Sequence, residues 1–159
     1  MSSANEKQVD GTHYQAKLQH WDWTVYNGIG YIEGCATKYV ARNRKKYPDP
    51  TIDLTKALHY IEKLRELFLL GVAIPRNRFA LWLYRLTHRN IPPLTLICWG
   101  RQLAVSVEEF GEANDLNPDE MMVCTLLAFW ADETDLDAAH GIVEAMIAQA
   151  TNPAAEEHF

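Results

Sequence analysis

Lys38, Arg42, Lys45 and Lys46 crowd into residues 38–46, and Asp53, Lys56 and Tyr60 follow within the next fourteen positions. Lys38, Arg42 and Lys45 stand at i, i+4 and i+7, one stripe of a helix, and Asp53, Lys56, Tyr60 and Lys63 form a second stripe of the same kind. Cations on facing helices, with one carboxylate and the rings of Tyr39 and Tyr60, suit a phosphorylated small molecule that carries an aromatic base. Arginine offers a fork of donors to phosphate oxygens, lysine a point charge, and tyrosine a stacking face with a hydroxyl. The plainer alternative is that these cations cap a helix C-terminus in solvent while the tyrosines fill the core.

The elements that would hold these residues are helical. Apolar residues recur at helical spacing almost throughout, and period-two alternation between tight turns is nearly absent. The pattern predicts a short helix over "HWDWTVYN", ended by Asn27-Gly28, and a helix over 31–46 ended by "YPDPT", where two prolines forbid continuation. A helix over 52–70 follows, with Leu54, Leu58, Ile61, Leu64, Leu67 and Phe68 as its buried stripe and Gly71 as its cap. So short a connection makes these two helices antiparallel neighbours. Lys45 and Lys46 should then lie level with Asp53, Arg42 with Lys56, and Lys38 with Tyr60.

Further helices are expected over "NRFALWLYRLTHR", over 93–115, from Asn117-Pro118 to Trp130, and on to Ala150. The reading is an all-α bundle of six to seven helices around that central hairpin. It forms one domain over 13–151, comprising the hairpin region 13–71 and an acidic helical extension 76–151, between a flexible arm at 1–12 and a flexible tail at 152–159.

The net charge of −6 conceals a division. Residues 1–90 hold 14 Lys/Arg against 8 Asp/Glu, a net +6, whereas residues 91–159 hold 1 against 13, a net −12. Either the basic half meets an anionic partner or the two halves dock on each other. Generic DNA binding is disfavoured, because the acidic half would repel a phosphate backbone. Cys35, Cys98 and Cys124 are odd in number and widely spaced, and they read as reduced core thiols. No long uncharged apolar run suggests a membrane span, and the N-terminus lacks the apolar core of a signal peptide, so a cytoplasmic protein is expected.

The pattern His13-Tyr14, Gly34-x-x-x-Lys38-Tyr39-x-x-Arg42, then Lys45-Lys46, then Asp53-Leu54-x-Lys56-Ala57-x-x-Tyr60 resembles the small phage-encoded nucleotide kinases of coliphages. Members of that family phosphorylate deoxynucleoside monophosphates without a Gly-x-x-x-x-Gly-Lys-Ser/Thr loop, and this chain also has no such loop. The similarity covers about residues 10–66; the family's Cys-rich region is missing and a long acidic segment follows instead. The resemblance implies a nucleoside triphosphate donor, a deoxynucleoside monophosphate acceptor and a Mg²⁺ ion that accompanies the nucleotide. It also implies a host-cell cytoplasmic location. Lys38, Arg42, Lys46 and Lys56 would clamp phosphates, with Lys45, Tyr14, Tyr39 and Tyr60 also in the nucleotide site. Asp53 would hold Mg²⁺ or orient the acceptor. His13 would be a phosphate ligand or proton carrier, or else an anchor for the N-terminal arm.

Two rival readings arise from the acidic half. Glu108, Glu109 and Glu112, then Asp132 and Asp135, loosely resemble the carboxylate pattern of all-α nucleoside triphosphate pyrophosphohydrolases, whose carboxylates bind Mg²⁺. The same residues would also serve as ordinary helix-start acids. The third class is a non-catalytic phage protein that binds a nucleotide or a host protein. Trp82, Trp99 and Trp130 read as core. The near-continuous apolar circumference of "RFALWLYRL" predicts burial between subunits, hence a homo-oligomer.

Overall fold

The computed structural model describes residues 18–73, 75 and 105–152. Among these, all regular structure is helical: α1 (His20–Tyr26), α2 (Tyr31–Arg42), α3 (Thr51–Leu69), α4 (Val107–Asn114), α5 (Pro118–Phe129) and α6 (Glu133–Thr151). The expected all-α class is what the described residues adopt. His13, Tyr14, Cys98, Trp82, Trp99 and the helix expected over 77–89 lie outside the described residues.

The helix boundaries follow from local chemistry. α1 stops at Asn27, and Gly28 takes a positive φ of 57°, which a residue without a Cβ adopts at little cost. The Asn27 side chain then joins the chain to a distant segment: its amide donates to the Val105 carbonyl at 2.9 Å, and its oxygen accepts from the Val105 N–H. α3 begins after the two prolines, where the Asp49 carboxylate accepts from both the N–H and the hydroxyl of Thr51. It ends at Gly71 with φ 70°, where the Gly71 and Val72 amides return to the carbonyls of Phe68 and Leu67.

α4 and α5 each open on a reciprocal capping box, Ser106 with Glu109 and Asn117 with Glu120, and Pro118 occupies the first turn of α5. The Ser106 box overturns the expectation of an unbroken helix over 93–115. Ser106 is extended, with φ −67° and ψ 164°, so a new helix starts at Val107.

α2 is shorter than the 31–46 expected. It closes at Arg42, and residues 43–46 form a tighter turn in which the Asn43 N–H reaches the Val40 carbonyl and the Lys45 N–H the Arg42 carbonyl. The cause lies in the side chains. Asn43 is buried and its amide donates both to the Val40 carbonyl and to Glu120 of α5, which draws the end of α2 towards the acidic half.

α3 lies between α2 and α6, and α5 packs against both α2 and α6. Leu54, Ile61 and Leu64 of the expected stripe are buried, with Leu58 and Phe68 packed on the core edge. Trp23 stacks on Phe110 at 4.4 Å and 11°, tying α1 to α4. Trp130 is buried as expected; Phe68 meets it edge-on at 5.6 Å, and its indole N–H donates to the buried Glu33 carboxylate at 2.9 Å. Cys124 is buried and burial pushes its thiol up, whereas Cys35 is only half-buried.

Candidate functional site: a cation–aromatic strip on the hairpin

α2 and α3 pack against one another as an antiparallel pair, and their shared edge assembles the residues singled out by type and spacing. At its centre is Asp53, 0 % exposed. Its Oδ2 accepts from Arg42 Nε at 2.9 Å, and its Oδ1 accepts from Arg42 Nη2 at 3.3 Å and from Lys56 Nζ at 2.9 Å. Arg42 is itself buried, whereas the Lys56 side chain is 38 % exposed. One carboxylate therefore fixes a buried guanidinium and aims a reachable ammonium outward.

Aromatic rings flank this centre. Tyr39 stacks on Tyr60 at 5.7 Å and 20°, the Arg42 guanidinium carbon lies 4.6 Å from the Tyr39 centroid, and Lys56 Nζ lies 5.4 Å from it. Lys56 Nζ is also 4.9 Å from the Tyr47 ring, which Lys46 Nζ approaches at 5.4 Å. Cation–ring contacts at these distances order the lysines without removing their charge. Farther along α2 lies Cys35, a neighbour of the Tyr31 and Tyr60 phenols. The Cys35 contact raises both phenols above their ordinary range, mainly through a hydrogen bond at Tyr31 and through charge repulsion at Tyr60.

Not every predicted site residue joins the strip. Lys45, expected level with Asp53, turns away and donates to the Asn114 carbonyl of the acidic half; partial burial lowers its pKa. Its neighbour Arg44 forks onto Glu120, with Nε to Oε1 at 3.0 Å and Nη2 to Oε2 at 2.8 Å. That hydrogen-bonded carboxylate raises the Arg44 pKa. Lys38 is half-exposed on the α1 side. Burial, assisted by the Lys38 charge, lowers the His20 pKa to about 3, so this imidazole is neutral and bonds Thr37 at 2.9 Å.

Three carboxylates of the rival constellation are engaged in helix ends. Glu109 accepts from the Ser106 N–H, Asp132 from the Thr134 N–H, and Asp135 from the Ala131 N–H. Asp135 is held above the usual carboxylate range, chiefly by burial. Among the described residues no group of three or more His, Cys, Asp or Glu side chains converges on a metal-binding geometry.

Tyr47, Asn43 and Glu120 escaped the sequence reading. Tyr47 follows the lysine cluster directly and could have been found as a third ring beside the cations. Glu120 had a signal too, since Asn117-x-x-Glu120 is a capping box, but its pairing with Arg44 depends on contacts between distant segments. Comparison of the chain with protein-family models, with curated proteins and with solved structures found no match. No helix among the described residues is long and apolar enough to cross a membrane.

Proposed function

We propose that the hairpin strip binds a nucleotide by its phosphates and that the protein transfers a phosphoryl group from a nucleoside triphosphate to a deoxynucleoside monophosphate. The observation that carries the reading is the Asp53-anchored pair of Arg42 and Lys56, set between tyrosine rings. Phosphoryl transfer asks little covalent chemistry of a protein. Its demands are position and charge neutralisation, which fixed cations supply.

In this reading Lys56 and Lys46 contact phosphate oxygens, Arg42 contributes a buried positive field, and Lys38, on the α1 side, stands outside the strip. Both Asp53 oxygens already accept from cations, so Asp53 is a positioning residue. That bonding does not fit a Mg²⁺ ligand, and no other described carboxylates gather to form one. The expected Mg²⁺ would therefore arrive with the nucleotide, held by its phosphates and by water. The apolar segment "RFALWLYRL" supports a homo-oligomer, which light scattering tests: a mass near the monomer's 18.2 kDa would end that idea.

The deciding assay is turnover. The protein is incubated with each deoxynucleoside monophosphate and a terminally labelled nucleoside triphosphate, and the products are separated by thin-layer chromatography. A labelled deoxynucleoside diphosphate supports the kinase. Pyrophosphate release would transfer the case to the hydrolase class, and binding without turnover would leave a nucleotide-binding protein. Lys56→Met and Lys46→Ala should each weaken nucleotide binding about tenfold, on the order of 1.4 kcal/mol for one charge-assisted contact.

A further inference from the structure

The helices α4–α6 repeat α1–α3. Equivalent residues stand 87 positions apart through the first two helices of each set and 82 apart in the third, where both helices run 19 residues. The turns agree as well. Gly28 and Asp115 follow the first helices with φ 57° and 53°, and the next amides, Ile29 and Leu116, return to the Thr24 and Gly111 carbonyls at 2.8 and 3.0 Å. Leu54, Ala57 and Ile61 on α3 are buried, as are Leu136, Ala139 and Val143 at the same places on α6.

The contacts between the two sets are reciprocal. The Asn27 amide donates to the Val105 carbonyl at 2.9 Å, and its equivalent Asn114 donates at 3.0 Å to the carbonyl of Leu18, the equivalent of Val105. Asn43 donates to buried Glu120 at 2.6 Å. Trp130, at the place of Asn43, donates at 2.9 Å to buried Glu33, at the place of Glu120. Trp23 and Phe110, also equivalent, stack on each other across the joint. Such reciprocity is the mark of a twofold pair, in which one surface patch meets another copy of itself.

The strip alone does not repeat. Arg42, Lys56 and Tyr60 correspond to Phe129, Ala138 and Ile142, and the turn that carries Lys46 and Tyr47 is five residues longer than its counterpart before α6. Asp53 keeps an equivalent in Asp135. That carboxylate accepts from the Ala131 N–H at 2.7 Å, where Asp53 accepts from two cations.

We infer that the chain is one three-helix unit in two tandem copies: their joining face fits a second copy of the unit, α4–α6 are that built-in partner, and the strip occurs once per chain, on α1–α3. The second copy builds the same hairpin without the cations, so the fold does not require them and they serve a ligand. Naming that ligand a nucleotide rests on the reading above; the pairing of the copies does not.

Exchanging the stacked rings tests the pairing in the full chain. Phe110→Trp alone crowds two indoles into a buried stack, and Trp23→Phe alone leaves a gap. Trp23 Nε1 has no hydrogen-bond partner, so moving the indole across the joint breaks none. Trp23→Phe with Phe110→Trp returns the same stack turned about the axis. In urea denaturation each single variant should lose about tenfold or more in its folding equilibrium constant, and the double variant should recover about tenfold over Phe110→Trp. A double variant no more stable than Phe110→Trp would overturn the pairing. Titration calorimetry with each deoxynucleoside triphosphate and Mg²⁺ should find one site per chain. Lys56→Ala, which gives α3 the residue that α6 carries, should weaken that binding about tenfold and change the folding constant by less than that. Two sites per chain, or a larger loss of folding than of binding, would overturn the single strip. Absence of any binding would overturn the nucleotide reading, while the ring exchange decides the pairing by itself.

Discussion

Removing the Asp53 carboxylate should be among the most damaging single changes in the hairpin, and its cost can be estimated from geometry. Asp53 is fully buried and accepts three hydrogen bonds from two cations. In Asp53→Ala the Arg42 guanidinium, only 8 % exposed, stays charged without its counter-charge. Breaking a buried ion pair from one side costs about 3–5 kcal/mol. Lys56 adds about 0–1 kcal/mol, because its exposed ammonium regains water. For a domain of this size each kcal/mol lowers the melting temperature by about 2–4 °C, so a fall of about 6–24 °C is expected. Circular dichroism with urea and heat measures it. A double-mutant cycle sharpens the test: Arg42→Met with Asp53→Leu replaces the pair by apolar side chains and should be more stable than either single variant. The reasoning fails if Asp53→Ala unfolds within about 1 kcal/mol of the parent, or if the double variant is less stable than both singles.

Two further outcomes follow from buried polar groups. His20 has its pKa lowered to about 3 from an ordinary 6.5, so between those values the unfolded chain binds a proton that the folded chain does not. Stability should therefore decline as the pH falls from about 6.5 towards 3, with this histidine contributing up to about 1.4 kcal/mol per pH unit. His20→Gln should show a shallower slope in urea titrations at pH 7, 6, 5 and 4, and identical slopes would refute the assignment. Glu120→Ala removes the carboxylate that accepts from the Asn117 N–H and leaves Asn43 and Arg44 without that partner. It should cost about 2–4 kcal/mol by urea denaturation, more than Glu120→Gln, which keeps one acceptor oxygen; equal stability of the two variants would argue against the network.

The α3 stripe was legible because Leu54, Ile61 and Leu64 repeat at the helical period, and the hairpin because two prolines interrupt it. The Arg42–Lys56 level was legible too: both side chains meet on Asp53. Lys45 was not, since the end of α2 is drawn aside by Asn43 and Glu120, and no periodicity within residues 31–46 encodes a partner 77 positions away. The start of α4 was recoverable in principle from Ser106-x-x-Glu109, whose capping signal competed with an apolar pattern running in from residue 93. Charge division left two explanations open. The structure supplies contacts for the docking one: Arg44 to Glu120, Lys45 to Asn114, and Arg65 to Glu133 and Asp137. Lys46 and Lys56 keep to the hairpin's tyrosines, so the same basic half also presents cations away from that joint.

The division has a consequence in time, because the basic half is synthesised first. Arg44 leaves the ribosome 76 residues ahead of Glu120, and at ordinary elongation rates that gap lasts about 4–15 s. Arg42 finds Asp53 only 11 residues later, so the hairpin's internal ion pair can close almost at once. Through that interval the basic half is attached to a ribosome made largely of anionic RNA while the carboxylate that Arg44 meets in the folded chain has yet to be made. Glu120 ends that interval for Arg44, so the order of synthesis delays neutralisation of the basic half until most of the chain exists.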